Sequence, residues 1–408
     1  MTLDLVIRQA RIDGHTLPMD IGIAGSHIAA IAPRIDSPAP ERAAGGQLLI
    51  RGFTDSHLHL DKACLMDRAA NPAGTLAGAI AAVSAAKRDF TEADVYARGA
   101  RVLDMAIGQG TNLVRTQVEI DPTIGLAGFR AVRRLKADYA WGIDLQICVF
   151  PQEGLLNLPG TEALLRQALS EGADLLGGCP YTDSDPAGQI ALLFDMARDI
   201  DVDLDFHLDF DLDPSWRHLD EVARQTVARG WQGRVAVGHV TKLSALPPDR
   251  LAESFALLAD AGIALTVLPA TDLFITGRAH DHNVPRGLAP AHRAQDCGVC
   301  ATIATNNVLN PFTPFGDGSL SRMANLYANV CQLGSEADLD RAFRMVTDAP
   351  AALLGRAPAI AEGAPADLVL LPARNGAEAV ATIARPLWGL KAGRPSFDHP
   401  APRLHPPG

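Results

Sequence analysis

Short apolar runs recur along this chain, each ending in polar residues and followed by a longer stretch of helical period. Strand side chains alternate between two faces, whereas helical ones return to a face every three or four positions, so the two patterns separate the elements. The runs at Leu48–Phe53, Asn112–Val118, Asp144–Phe150, Ala173–Gly177, Val202–Phe206, Arg234–Val237, Ile263–Leu268 and Cys300–Ala304 read as strands. Between most of them lie helical stretches rich in Ala, Leu and Arg: Leu76–Arg88, Ala93–Gln109, Glu162–Glu171, Gln189–Ile200 and Trp216–Arg229. Strands alternating with helices predict parallel βαβ units, and right-handed crossovers close eight of these into a (β/α)8 TIM-type barrel. A doubly wound open sheet is the alternative, disfavoured because no strand is followed by a Gly-rich phosphate turn.

Both ends read differently. Leu3–Ile7, Ile21–Ile23 and Ile28–Ile31 are short strands broken by Gly, Pro and Asp. Beyond the helical region 336–355, the segment Gly363–Pro372 is a turn followed by a strand. The expected α/β architecture is therefore a barrel over residues 51–356, flanked by a β-sandwich composed of residues 1–50 and 357–408. Its 408 residues exceed the ~250–300 at which single cores stop growing, consistent with two units.

Charge and cysteine usage narrow the partners. A formal net charge of -11 argues against nucleic acid or an anionic membrane surface. No apolar run approaches the ~18 residues of a membrane span. The start, Met1–Arg8, lacks a basic n-region and a long apolar core, so a cytoplasmic location is expected. Six scattered cysteines do not resemble a disulfide framework, and Cys297–Cys300 is a single CxxC without a second pair.

In such a barrel the chemistry lies at the C-terminal ends of the strands. The first strand leads into His57-Leu58-His59, followed by Asp61 and Lys62. Residues i and i+2 share a strand face, so two imidazoles at that spacing can address one metal ion. Taken alone, the pair reads as an ordinary polar strand end. His207 and His239 then end the fifth and sixth strands, so three of eight strand ends carry histidine in a chain with 12 in all. Neutral imidazoles suit zinc or a related first-row ion, and a catalytic site keeps one position open for water. Hydrolytic attack at a planar carbon is the reaction class expected.

These segments together resemble the amidohydrolase superfamily, within it the cytosine deaminase branch that includes triazine-type aminohydrolases. The similarity spans nearly the whole chain: Ser56–Asp61, Phe150–Gly154, Gly172–Gly178, His207–Asp209, Gly238–Thr241, Asn310–Phe312 with Pro314–Gly316, and the tail Ala366–Ala373 with Leu390–Arg394. The resemblance implies that His57, His59 and His207 bind one divalent ion, zinc or iron. It implies that His239 assists the attacking water or the intermediate, and that Gln152 pairs with the edge of a small heterocyclic substrate. A homo-oligomer acting on such a small molecule is expected.

Two positions depart from that pattern. Asn306 stands where the family has an aspartate that ligates the metal and moves a proton, and Asn307 follows it. Phe210 stands where cytosine deaminases have a glutamate that protonates the ring. Positioned acid–base groups contribute ~10²–10⁴-fold each, so both losses bear on the mechanism. Either Asp209, Asp211 or His239 takes over proton transfer, in a site where Lys62, Gln152, Phe210 and Asn307 face the substrate, or the chain is a binding protein on the same scaffold. Retention of three histidines, Gln152, Asp61 and Lys62 favours the enzyme. Lys62 reads as an extra acid or carboxylate-binding group, or as a solvated rim charge. Two further features are a second HxH, His280-Asp281-His282, which reads as a metal site or a loop over the pocket, and Asp317, a rim carboxylate or an ordinary turn residue.

Overall fold

The computed structural model describes residues 2–400, 402, 404 and 405. Eight parallel strands, hydrogen-bonded in sequence order, form the barrel. They are β1 (Phe53–Leu58), β2 (Thr111–Glu119), β3 (Asp144–Phe150), β4 (Leu175–Gly178), β5 (Asp203–Leu208), β6 (Val235–His239), β7 (Ile263–Val267) and β8 (Ala301–Ile303). A parallel bridge between Leu58 and Asn306 joins the last strand to the first and closes the ring. Helices follow the strands and cover them. The helix Glu92–Gly108, for example, is capped by the Thr91 side chain and buries Val95, Val102, Leu103 and Ile107 on one face.

The apolar run at residues 48–58 is divided between two sheets, which corrects the expected first strand. Leu48–Ile50 pairs antiparallel with Leu368–Leu371 in a flanking sheet, and only Phe53 onward enters the barrel. Gly52 marks the break. Its φ of +87° lies in the left-handed region, and a Cβ there would sit 2.2 Å from Asn112 Nδ2, so the chain turns where a larger residue would not fit. The other seven strands fall within two residues of their expected limits.

Two four-stranded sheets flank the barrel. One runs in the order 27–32, 19–24, 5–10, 41–43, and the other in the order 394–398, 388–391, 368–371, 48–50. Ile7, Ile21, Ile23 and Ile28 of the first share an apolar core with Leu49, Leu368, Leu370, Trp388 and Leu390 of the second. No helix among the described residues is long and apolar enough to cross a membrane.

Candidate metal centre

β1 is buried along its whole length and delivers His57 to the C-terminal mouth of the barrel. Backbone bonds stitch the mouth shut between the first and last strands: the Asn306 amide donates to His57 O at 2.8 Å, and the His59 amide to Asn306 O at 2.8 Å. His207 arrives on β5. Its Nε2 lies 3.1 Å from His57 Nε2 and 3.1 Å from His59 Nε2. Tetrahedral ligands at ~2.0–2.1 Å from an ion sit roughly 3.3 Å apart, so the three nitrogens already have the spacing of a coordination shell. Burial, and then the positive groups nearby, Lys62 among them, hold all three rings well below the usual histidine range. They are therefore neutral, the form a metal requires. The Asn306 side-chain oxygen is buried without a hydrogen-bond partner, an acceptor left open on the strand that meets β1. This donor set fits a divalent ion.

Aromatic rings back two of the histidines. Phe150 stacks on His207 with centroids 4.4 Å apart, and Phe210 stacks on His239 at 3.8 Å and 19°. His239 stands 6.1 Å from His57 and 5.8 Å from His207, centroid to centroid. Its Nδ1 is bonded to Asp272 Oδ1 at 2.6 Å, and both residues are buried. Burial pushes the Asp272 carboxyl up, and its contact with His239 pulls the other way. The pair leaves His239 Nε2 as the ring's free nitrogen.

A second polar group borders the histidines. Lys62 is 2% exposed, which excludes the solvated rim charge. Its ammonium donates to Glu119 Oε1 at 2.7 Å and to Gln152 Oε1 at 3.0 Å, and lies 4.4 Å from the Phe312 ring centre. Gln152 donates to Cys179 Sγ at 3.3 Å. The carboxylates of Glu119, Asp121 and Glu153 also converge closely enough to suggest a cation. That charge is already supplied by the Lys87 ammonium, at 2.5, 2.8 and 2.6 Å respectively.

The aspartates expected to move protons are occupied elsewhere. Asp209 accepts from the backbone amides of His218 and Leu219 at 2.9 and 3.1 Å, capping the helix His218–Ala228, and burial pushes its carboxyl up to about 6. Asp211 is half exposed and paired with Lys242 at 3.2 Å. Asn307 accepts from Asn310 Nδ2 at 2.7 Å, and Asn310 in turn donates to Lys62 O, so the two amides brace the loop after β8. His282 and Asp281 pair with each other in solvent, and Asp317 receives Arg322 and the Ser319 amide in a turn. Cys297 and Cys300 are unpaired thiols. Asp272, Glu119, Lys87, Cys179 and Phe150 join the site without having been singled out from the sequence. Asp272, three residues into the short helix that opens with Pro269 after β7, had the clearest signal: an acid at the rim of a strand that otherwise contributed nothing.

Comparison with known proteins gives a consistent picture. Residues 136–395 match a protein-family model described as an amidohydrolase family. The chain is 31% identical over 367 residues to a pterin deaminase of Rhizobium rhizogenes, covering 88% of this chain and 83% of that protein. It is 27% identical over 401 residues to the N-isopropylammelide isopropyl amidohydrolase of a Pseudomonas species, covering 96% of each. The crystal structure of 5-methylcytosine deaminase from Klebsiella pneumoniae, liganded with 5-fluorocytosine, superposes with a TM-score of 0.93 at 28% identity, covering 98% of this chain and 99% of the other.

Proposed function

The chain belongs to the amidohydrolase family, and from that premise we propose that it hydrolyses a C–N bond of a small nitrogen heterocycle, as a deaminase, aminohydrolase or cyclic amidase, with one divalent ion held by His57, His59 and His207. The observation that carries this reading is the convergence of those three Nε2 atoms at 3.1 Å beside the His239–Asp272 pair. A divalent ion held there, zinc or iron, would supply Lewis acidity and activate water for attack at neutral pH. The relatives named as pterin, 5-methylcytosine and N-isopropylammelide hydrolysing enzymes support a heterocyclic substrate.

His239 carries the proton. With Nδ1 held by Asp272, its Nε2 takes a proton from the nucleophilic side and returns it to the departing nitrogen, while Asp272 stabilises the charged ring. Asn306 is neutral and cannot share that task. Asp209 and Asp211 are tied to other partners, so His239 replaces them as the assigned group. Phe210 shields one face of the His239 ring and donates no proton to the substrate.

Lys62 and Gln152 bind the ring. An ammonium has three N–H donors, and two of those on Lys62 are used by Glu119 and Gln152. The third is free for a carbonyl oxygen or an anionic ring nitrogen. Gln152 retains one N–H for the same edge. Beside them Phe210, Phe312 and Ile275 belong to an apolar cluster, which suits a substrate whose remaining substituents are apolar.

A panel of pterins, purines, pyrimidines, triazines and cyclic ureides, monitored by ammonia or amine release, tests the proposal. Turnover should disappear on chelation and return when zinc or iron is restored. A metal-loaded protein that turns over none of them would favour the binding-protein reading instead.

A further inference from the structure

The helix Leu76–Lys87 follows β1 and is mostly apolar on the face carrying Ala79 and Val83, which pack in one cluster with Phe210, Phe312 and Ile275. Phe210 lies against His239, and Phe312 lies under the Lys62 ammonium. The helix therefore covers the site through these two rings. Its last residue is out of character. Lys87 is 2% exposed and projects inward, to within 2.5 Å of Glu119, 2.6 Å of Glu153 and 2.8 Å of Asp121. Ser84, one turn earlier, also donates to Glu153, at 2.7 Å.

Glu119 is shared. One oxygen forms a close ion pair with Lys87 and the other accepts from Lys62, which in turn holds Gln152. Burial opposes ionisation of Glu119, but the two ammonium groups outweigh it and hold the carboxyl down at about 2. An unbroken buried chain thus runs from the covering helix to the two groups that face the substrate. Removing one charge from such a network leaves its partners unpaired in a medium of low dielectric. Without Lys87, three neighbouring carboxylates would have Lys62 as their only buried ammonium, and it would be drawn away from Gln152.

We propose that Lys87 is a positioning residue: through Glu119 it sets the placement of Lys62 and Gln152, so that seating of the helix Leu76–Lys87 and assembly of the substrate-binding edge are a single event. The assignment of Lys62 and Gln152 to the substrate rests on the function proposed above. The coupling between helix and Lys62 does not.

Hydrogen exchange on the full-length, metal-loaded protein tests the coupling without a substrate, using Lys62→Met, Lys87→Met and Lys87→Arg. Lys62→Met lies outside the helix, yet it should raise exchange of the amides of residues 79–87 about tenfold or more through local opening. The helix Glu92–Gly108 should stay protected, and Lys87→Arg should restore most of the protection lost in Lys87→Met. With a substrate from the panel, Lys87→Met should lower kcat/KM about tenfold or more, and cause no further loss in a Lys62→Met background. Unchanged exchange of the helix in Lys62→Met overturns the coupling, even if Lys87→Met does not fold. Losses in Lys87→Met and Lys62→Met that simply multiply would show that Lys87 acts on stability and not through Lys62. If no compound in the panel is turned over, the exchange result still decides the coupling independently.

Discussion

Replacing Asp272 by Asn isolates the part of catalysis that depends on the His239 pair. The substitution keeps the side-chain shape, and its oxygen can still accept the Leu268 amide, now at 3.2 Å. What it removes is the negative charge 2.6 Å from His239 Nδ1 in a site where both groups are buried. Charge-assisted hydrogen bonds are roughly twice as strong as neutral ones, and that difference is felt when His239 becomes protonated on the reaction path. A positioned proton-transfer group is worth ~10²–10⁴-fold, or about 2.7–5.4 kcal/mol at 1.36 kcal/mol per factor of ten. Asp272→Asn should therefore lower kcat by that amount while KM stays within about threefold, the pattern of an interaction made in the transition state. The assay is steady-state release of ammonia or amine by protein of matched metal content. Nitrogen NMR of His239 gives a check that needs no substrate: Nδ1 should carry the proton in the wild type, and the variant should show a mixture of tautomers. A metal-loaded Asp272→Asn protein with kcat within about threefold of wild type would refute the role given to His239 and reduce Asp272 to a brace for its own short helix.

Other perturbations address the departures and the packing. Asn306→Asp adds a charged ligand where the amide oxygen has no partner, so metal occupancy by elemental analysis should rise at matched protein concentration, and the melting temperature should depend more strongly on added ion. The wild type should be a poor cytosine deaminase. Phe210→Glu should raise its activity on cytosine relative to other substrates, at a stability cost of about 3–5 kcal/mol for the lost aromatic packing, read by urea unfolding. Gly177→Ala should be destabilising by at least ~1–3 kcal/mol, because its Cβ would meet Asp205 O at 2.7 Å and Phe150 Cβ at 2.8 Å. Since Phe150 stacks on His207, metal affinity should fall with it.

The barrel was legible because its signal is local: each strand is a short apolar run, and each run ends where the chain becomes polar. The metal-binding candidates were legible for related reasons: His57 and His59 because alternate residues of a strand share a face, and His207 because it ends another apolar run. The first strand was misjudged because one continuous apolar run serves two sheets, and only the left-handed turn at Gly52 divides it. Long-range pairings left no comparable trace. Asp272 is tied to a histidine 33 positions away, and Lys87 to Asp121, 34 positions away. In the sequence Lys87 is only a cation at the end of a helix, where a solvated side chain is ordinary. Asp209 and Asp211 show the converse: acids next to a candidate ligand histidine invite a chemical role, and only the structure reveals that the first accepts from the amides of the next helix and that the second pairs with Lys242.

The pairing of Leu48–Ile50 with Leu368–Leu371 has a consequence for biosynthesis. About 320 residues separate the partners, and a ribosome adds ~5–20 residues per second, so the early segment waits roughly 15–60 s for its neighbour to emerge. Within the barrel each strand after the first pairs with the one made just before it, and only the closure of the first strand onto the last waits in the same way. All three residues of Leu48–Ile50 are buried in the finished fold, so the nascent chain carries an apolar, unpaired strand for most of its time on the ribosome. Such an edge is a template for association with other chains. Chains that terminate before residue 368 keep it permanently, which makes them substrates for chaperones and proteases even where most of the barrel has already formed.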